Sequence, residues 1–265
     1  KNKVYFSHIP KTAGRTLESI VYKAGEKLDK NYIIGEGYFR KIIKKNHKNY
    51  YTYFLNKKYY DLLINFNKNH WNIVFWHIPL SFWKDNILLA YKKNFTIFLT
   101  IRNPYDKIVS DFKYWIKFYY QQINSKLKRH YLPLLNQIRE IYENNFEVSS
   151  ENMNKVITKL LSNKRYTYAL DGHLIHQYKY IYTIINDNLI KIPDHIIRFE
   201  NLKKEFIQFK KKYLPLITNN AIRNTYLNPS QSNLNKSSLS YNVKNLIYNY
   251  YNVDFKILGY KKCNI

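Results

Sequence analysis

The chain alternates between short unbroken apolar runs and longer stretches in which apolar residues return every three or four positions. Unbroken runs of this length predict strands, and the longer spacing predicts helices. Val4 to Ile9 is a β-branched and aromatic run, so a strand is expected there. Pro10 ends it, because proline donates no ladder hydrogen bond. From Arg15 onward Leu17, Ile20, Val21 and Ala24 fall on one helix face. Gly14, between the two, is expected to provide a tight turn that a residue with a Cβ resists.

Asn72-Ile-Val-Phe-Trp-His-Ile-Pro79 and Asn94-Phe-Thr-Ile-Phe-Leu-Thr-Ile-Arg102 repeat the strand pattern. Both are nearly continuous apolar runs, as for strands covered on both faces of a parallel sheet. One is expected to end at His77 and the other at Arg102. Pro104 then opens a helix, where its missing N–H costs nothing. Ile108, Val109, Phe112 and Trp115 or Ile116 form its apolar stripe. A fourth strand is expected from Asp194 to Leu202, running into a helix over 203–213.

Between these lie helical patterns at Leu132–Tyr142 and Met153–Leu161, and a last helix from about Leu239 to Tyr251. Residues 31–58 are polar and basic and read as a surface excursion of helix and loop. Thr225 to Ser240 is rich in Asn, Ser and Pro and reads as a loop. Strands alternating with helices predict an α/β fold with a central parallel sheet flanked by helices, plus helical insertions. There is no internal repeat and no clear linker, so a single domain over 1–265 is expected.

Composition narrows the picture in three ways. The 265 residues are 45% apolar, enough for a sizeable core, and no apolar run approaches the length of a membrane span. Cys263 stands alone, so no intrachain disulfide forms. This leans towards a reducing compartment without excluding a secretory one, since the chain starts at Lys1 and an anchor can have been removed. The formal charge of +26 makes nucleic acid, acidic glycans and anionic cofactors plausible partners. Lys far outnumbers Arg and Tyr is spread along the chain, so a general compositional bias accounts for the charge as well as a functional basic surface does. No helix-turn-helix, zinc finger or RNP motif supports nucleic acid.

The strand–loop–helix at the start is built for an anion. Loop N–H groups and a helix N-terminus converge there. Lys11 adds a charge, and Thr12 and Thr16 add hydroxyls. The Walker pattern does not fit, because here the Lys precedes the Gly and the loop is shorter. His77 is placed at a strand end, where α/β sheets bind ligands, and imidazole suits general base work near neutral pH. Arg102 can grip a phosphate bidentately, and Ser110, two turns on, can donate to the same place. Glu200 is a second base candidate, against a first-turn carboxylate favouring a helix N-terminus. His173 and His176 are spaced for two ligands on one helix face, but no HExxH, Cys or nearby carboxylate set supports a metal.

His8-Ile-Pro-Lys-Thr-Ala-Gly-Arg-Thr-Leu17 resembles the 5′-phosphosulfate loop of sulfotransferases that use PAPS (3′-phosphoadenosine 5′-phosphosulfate). It is most similar to the carbohydrate branch, which includes the heparan sulfate 2-O- and 6-O-sulfotransferases. Arg15 stands where that branch commonly has a hydroxyl residue. Arg102-Asn-Pro-Tyr-Asp-Lys-Ile-Val-Ser110 resembles the family's 3′-phosphate motif, with Lys107 where Arg is frequent. His77-Ile-Pro79 resembles the segment carrying its catalytic base. Gln177-Tyr-Lys-Tyr180 loosely resembles a stretch near the acceptor. Glu200-Asn-Leu202 resembles its strand-to-helix turn, and Tyr251 to Tyr260 its closing segment.

The resemblance implies a three-layer P-loop-like fold. It implies PAPS as co-substrate, PAP as product and no metal. Lys11, Thr12, Ala13, Gly14, Arg15, Thr16, Arg102, Ser110, Asn228 and Ser230 would hold the nucleotide, with His77 and Lys11 catalytic. The acceptor implied is a free hydroxyl on a glycan, and the helical decoration of 118–164, which carries no motif of its own, is read as the place of acceptor contacts. Protein tyrosine or a small alcohol is the alternative acceptor. A non-catalytic, basic nucleotide- or nucleic-acid-binding protein is the alternative class.

Overall fold

The structure is a computed structural model and describes residues 3–14, 16–18, 20, 33–34, 53–61, 75–125, 128–215 and 232–263. In chain order its main elements are β1 (Lys3–Ser7), β2 (Ile33–Ile34), α1 (Asp85–Asn94), β3 (Phe95–Ile101), α2 (Pro104–Ile123), α3 (Lys128–Tyr142) and α4 (Ser150–Ser162). These are followed by β4 (Tyr182–Ile185), β5 (Asn188–Lys191), β6 (His195–Arg198), α5 (Leu202–Tyr213), α6 (Tyr241–Tyr250) and α7 (Asn252–Leu258). The chain divides into two compact units. The first comprises Lys1–Leu62, Val74–Arg102 and Lys179–Pro229, and the second Leu63–Ile73, Asn103–Tyr178 and Ser230–Ile265. No helix among the described residues is long and apolar enough to cross a membrane.

The first unit is built on a four-stranded sheet in the order β2-β1-β3-β6, parallel at every pairing. The expected α/β class with a parallel sheet and flanking helices is therefore present. Register explains the burial. Val4 and Phe6 face one side with Leu17, Ile20, Phe98, Ile197, Phe206 and Phe209, which form one core cluster. Tyr5, one residue out of phase, faces the other side and meets Trp83 and Tyr91 edge-on at 6.0 and 5.8 Å. Alternation with period two places one strand between two apolar layers, as a strand covered on both faces requires. Phe98 lies 4.9 Å from Phe6 and 4.4 Å from Phe209, tying β1, β3 and α5 together. Each fully buried Phe contributes about 1.5–3 kcal/mol.

Two sequence expectations are corrected here, and one element is added. Residues 75–77 do not extend a strand: Phe75–His77 is a 3-10 turn, and a second turn follows at Leu80–Phe82. The apolar run there serves burial of a turn, since Ile78, Leu80 and Phe82 are all buried. Residues 72–74 lie outside the described residues. Of the stretch 31–58 expected at the surface, Ile33–Ile34 pairs with β1 in the sheet and Phe54 and Leu55 are buried. Finally, β4 and β5 form an antiparallel hairpin over Asn186-Asp187 that the sequence reading did not separate. Asn186 and Asp187 both take positive φ, as such a turn demands.

The second unit is helical. Asn103 caps α2 by accepting from the Tyr105 N–H at 2.9 Å, and Pro104 occupies the first turn. Ile108, Val109, Phe112, Trp115 and Ile116 are buried, as their spacing predicts. They pack with residues of α3, α4, α6 and α7 in one large cluster. The helices expected at Leu132–Tyr142 and Met153–Leu161 appear as α3 and α4. The last predicted helix appears as α6 followed by α7, and Gly259 ends α7 in the left-handed conformation at φ 69°.

Candidate active site

The expected anion loop lies in the first unit at the carboxyl end of β1. Lys11 and Ala13 both adopt positive φ, 63° and 83°. The tight turn assigned to Gly14 is thus made by its neighbours. Left-handed residues of this kind turn successive N–H groups to one side, an arrangement suited to anions. Helical bonding begins at once, with the Leu17 N–H donating to the Ala13 carbonyl at 3.1 Å.

Gly14 is needed for a different reason. A Cβ at this position would stand 2.0 Å from Nε2 of His8. The imidazole therefore lies directly against the glycine backbone, an approach only glycine permits.

Two positive φ angles without glycine cost of order 1–3 kcal/mol each. The loop holds them by side-chain bonds. Thr12 is fully buried, and its Oγ1 lies 2.8 Å from the Ile9 carbonyl and 2.8 Å from Oγ1 of Thr100 on β3. The hydroxyl expected to face a ligand is thus committed to anchoring the loop. Arg102, just past β3, donates through an NH group to the Lys11 carbonyl at 3.2 Å, and its guanidinium lies 4.0 Å from the Phe199 ring centroid. A hydrogen bond from a charged donor contributes about 1.5–3 kcal/mol and a neutral one about 0.5–1.5. Together these are of the same size as the backbone strain, so the loop's shape depends on both anchors.

His77 reaches the same place on its 3-10 turn. The Tyr180 hydroxyl donates to the His77 carbonyl and fixes the turn. The rings of His77 and His8 meet edge-on, 5.0 Å apart at 85°. Both are buried, at 8% and 6% exposure. Nδ1 of His8 lies 3.4 Å from a carboxylate oxygen of Glu18. The base candidate and Arg102, about 60 and about 90 residues after the loop, are therefore brought to it within one unit.

His8, Glu18 and Thr100 were not singled out from the sequence. His8 directly follows β1, so the strand-end rule applied to His77 points equally to it. Glu18 is four residues after Gly14 and therefore on the same helix face, the face against which the His8 ring lies.

The remaining candidates sit elsewhere. Thr16 and Ala13 are half-buried on or beside the loop. Arg15, Asn228 and Ser230 lie outside the described residues. Ser110 is half-buried on α2 in the second unit. Lys107 is buried at 1% exposure, where its Nζ lies 3.1 Å from Asp111 and also donates to the His173 carbonyl. The cation that matches a phosphate motif in sequence is thus enclosed in a network. Asp111 completes it, 2.7 Å from Nδ1 of His173. His173 and His176 do not share a helix face, because Leu170 and Asp171 take positive φ and break the helix before them. His176 instead stacks on Tyr250 at 5.0 Å. Glu200 is exposed on a 3-10 turn, while Glu205 accepts from the Arg198 N–H at 2.7 Å and anchors the start of α5. In the closing segment Asp254 is fully buried and accepts from the N–H groups of Gln177 and Tyr178 at 2.9 and 2.8 Å.

A scan against protein-family models, a search of curated proteins and a search of solved structures return no match.

Proposed function

We propose that the protein is a sulfotransferase that moves the sulfonate group of PAPS to a hydroxyl, with a carbohydrate as acceptor. The observation that carries this reading is the meeting of the strained Lys11–Gly14 loop, Arg102 and His77 at the carboxyl ends of β1 and β3. The fold that goes with it is three-layered and P-loop-like, with the β2-β1-β3-β6 sheet as the middle layer.

The residues present fit an anionic nucleotide. Bound PAPS would supply the sulfonate and leave as PAP. Lys11 and the N–H groups of 11–14 stabilise negative charge on the transferring group and on the departing phosphate oxygen. Arg102 holds the nucleotide through a phosphate and at the same time keeps the loop in shape through Lys11. His77 takes the acceptor's proton as the acceptor oxygen bonds to sulfur and the bridging S–O electron pair leaves on phosphate. The basic surface, +26 overall, suits an acceptor that is itself anionic.

Calorimetric titration of PAP into the wild type and into Arg102→Ala tests the reading. Binding is expected, and the substitution should weaken it by about tenfold or more, the size of a lost charged hydrogen bond. Screening of glycan, tyrosine-peptide and small-alcohol acceptors with labelled PAPS then identifies the substrate. Absence of PAP binding to the wild type overturns the proposal. Salt-sensitive binding of DNA or RNA that PAP does not compete would replace it with a nucleic-acid role.

A further inference from the structure

His8 is walled in on four sides within the first unit. The Phe6 ring stacks on it at 5.8 Å and 29°. Gly14 lies so close that a Cβ there would overlap three of its ring atoms, at 2.0, 2.3 and 2.5 Å. Glu18 stands 3.4 Å from its Nδ1. The His77 ring presents the fourth side. A neutral imidazole carries its proton on whichever nitrogen the neighbours favour, and a carboxylate favours the nitrogen beside it. The Glu18 carboxylate stands on the Nδ1 side of the His8 ring, where it favours a proton on that nitrogen. The ring, held between Phe6 and Gly14, then offers His77 one fixed surface.

We propose that His8 and Glu18 are positioning residues for His77. Glu18 orients His8, and His8 holds the His77 ring in the direction from which it takes the acceptor's proton. The proposal rests on the sulfotransferase reading for its catalytic consequence, while the contact between the two imidazoles is a property of the fold. The same device gives Gly14 its role, because any side chain there displaces His8 before it disturbs the loop.

The test uses histidine-labelled full-length protein in nitrogen–proton correlation spectra. Comparison is between wild type, Glu18→Gln, Glu18→Asp and His8→Phe. His77 signals are identified by their loss in His77→Asn. In the wild type the His8 proton should reside on Nδ1. Glu18→Gln should mix the two tautomers of His8 and move the ring signals of His77, and Glu18→Asp should restore part of the wild-type pattern. Where turnover is measured, kcat in Glu18→Gln should fall about tenfold, a part of the roughly 10²–10⁴-fold a general base supplies. KM for PAPS should stay within about twofold, the pattern of a lost transition-state contribution. His77 signals unmoved in Glu18→Gln would overturn the proposal, as would signals unmoved in folded His8→Phe. Should the wild type fail to bind PAP, the sulfotransferase reading falls, and the spectra still decide whether His8 and Glu18 hold His77. Glu18 is 19% exposed, so its isosteric exchange leaves the fold standing if His8→Phe does not.

Discussion

The two units each bury an imidazole beside a carboxylate, and the two pairs have different surroundings. In the second unit His173 lies 2.7 Å from Asp111, Lys107 supplies the compensating charge, and Trp115 and Tyr114 close over the ring at 4.6 and 5.5 Å. Every partner there is held by a regular helix or by the core around it. In the first unit His8 lies 3.4 Å from Glu18, next to a loop with two strained residues and a second histidine. Backbone strain held by dedicated anchors, at the open end of a parallel sheet, is where ligand chemistry is commonly placed. A His–carboxylate pair by itself says little, and the surroundings decide whether it stabilises or positions.

The comparison is broken most directly at His77. His77→Ala should lower kcat by about two to four orders of magnitude while PAP binding survives, measured with labelled PAPS and an identified acceptor. An unchanged rate removes His77 as the base. The second unit should answer in stability instead. Asp111→Ala leaves Lys107 buried without its counter-charge and should cost about 3–5 kcal/mol in urea unfolding. The double exchange Lys107→Met with Asp111→Leu should recover much of that loss, because both charges then leave together. A single-mutant cost under about 1 kcal/mol would mean that the network is not a structural core element.

Gly14→Ala sharpens the contrast at intermediate size. The new methyl must displace the His8 ring, and overpacking of this kind costs about 1–3 kcal/mol. PAP affinity should fall as well, read by the same calorimetry, and an unaffected affinity would separate His8 from the loop. The smallest effect is expected at Glu143 in the second unit. Hydrogen bonds and charge from Lys155 and Lys159 hold its carboxyl at about 2, below the ordinary 4.5. A depressed carboxyl value stabilises the fold above about 4.5, and the contribution is lost as pH falls towards 2. Glu143→Gln should therefore lower Tm slightly at pH 6 and leave it unchanged near pH 2. The gap should shrink in high salt, since these groups are exposed.

Much of the frame was readable in the chain. Val4–Ile9, 94–102 and 194–202 announced β1, β3 and β6 because a buried strand must be apolar on both faces. Asn103-Pro104 announced the start of α2, because capping and proline geometry are local. The run at 72–79 misled for the same reason that the others succeeded. Continuous apolarity reports burial, and here Ile78, Leu80 and Phe82 are buried on and between two 3-10 turns. The edge strand Ile33–Ile34 was too short to stand out from its polar flanks.

Among the site residues, the sequence by itself determined the types and the order: a basic loop after the first strand, a histidine, then an arginine after the next. Local chemistry dictates these, because Pro10 and Pro104 act on their own neighbours. Only the tertiary structure decided which groups reach that place. It turned Thr12 inward to Thr100, buried Lys107 with Asp111, tied Arg102 to the Lys11 carbonyl and set His8 between Glu18 and His77. The Thr12–Thr100 and Arg102–Lys11 contacts join residues about 90 positions apart, which only long-range packing brings together.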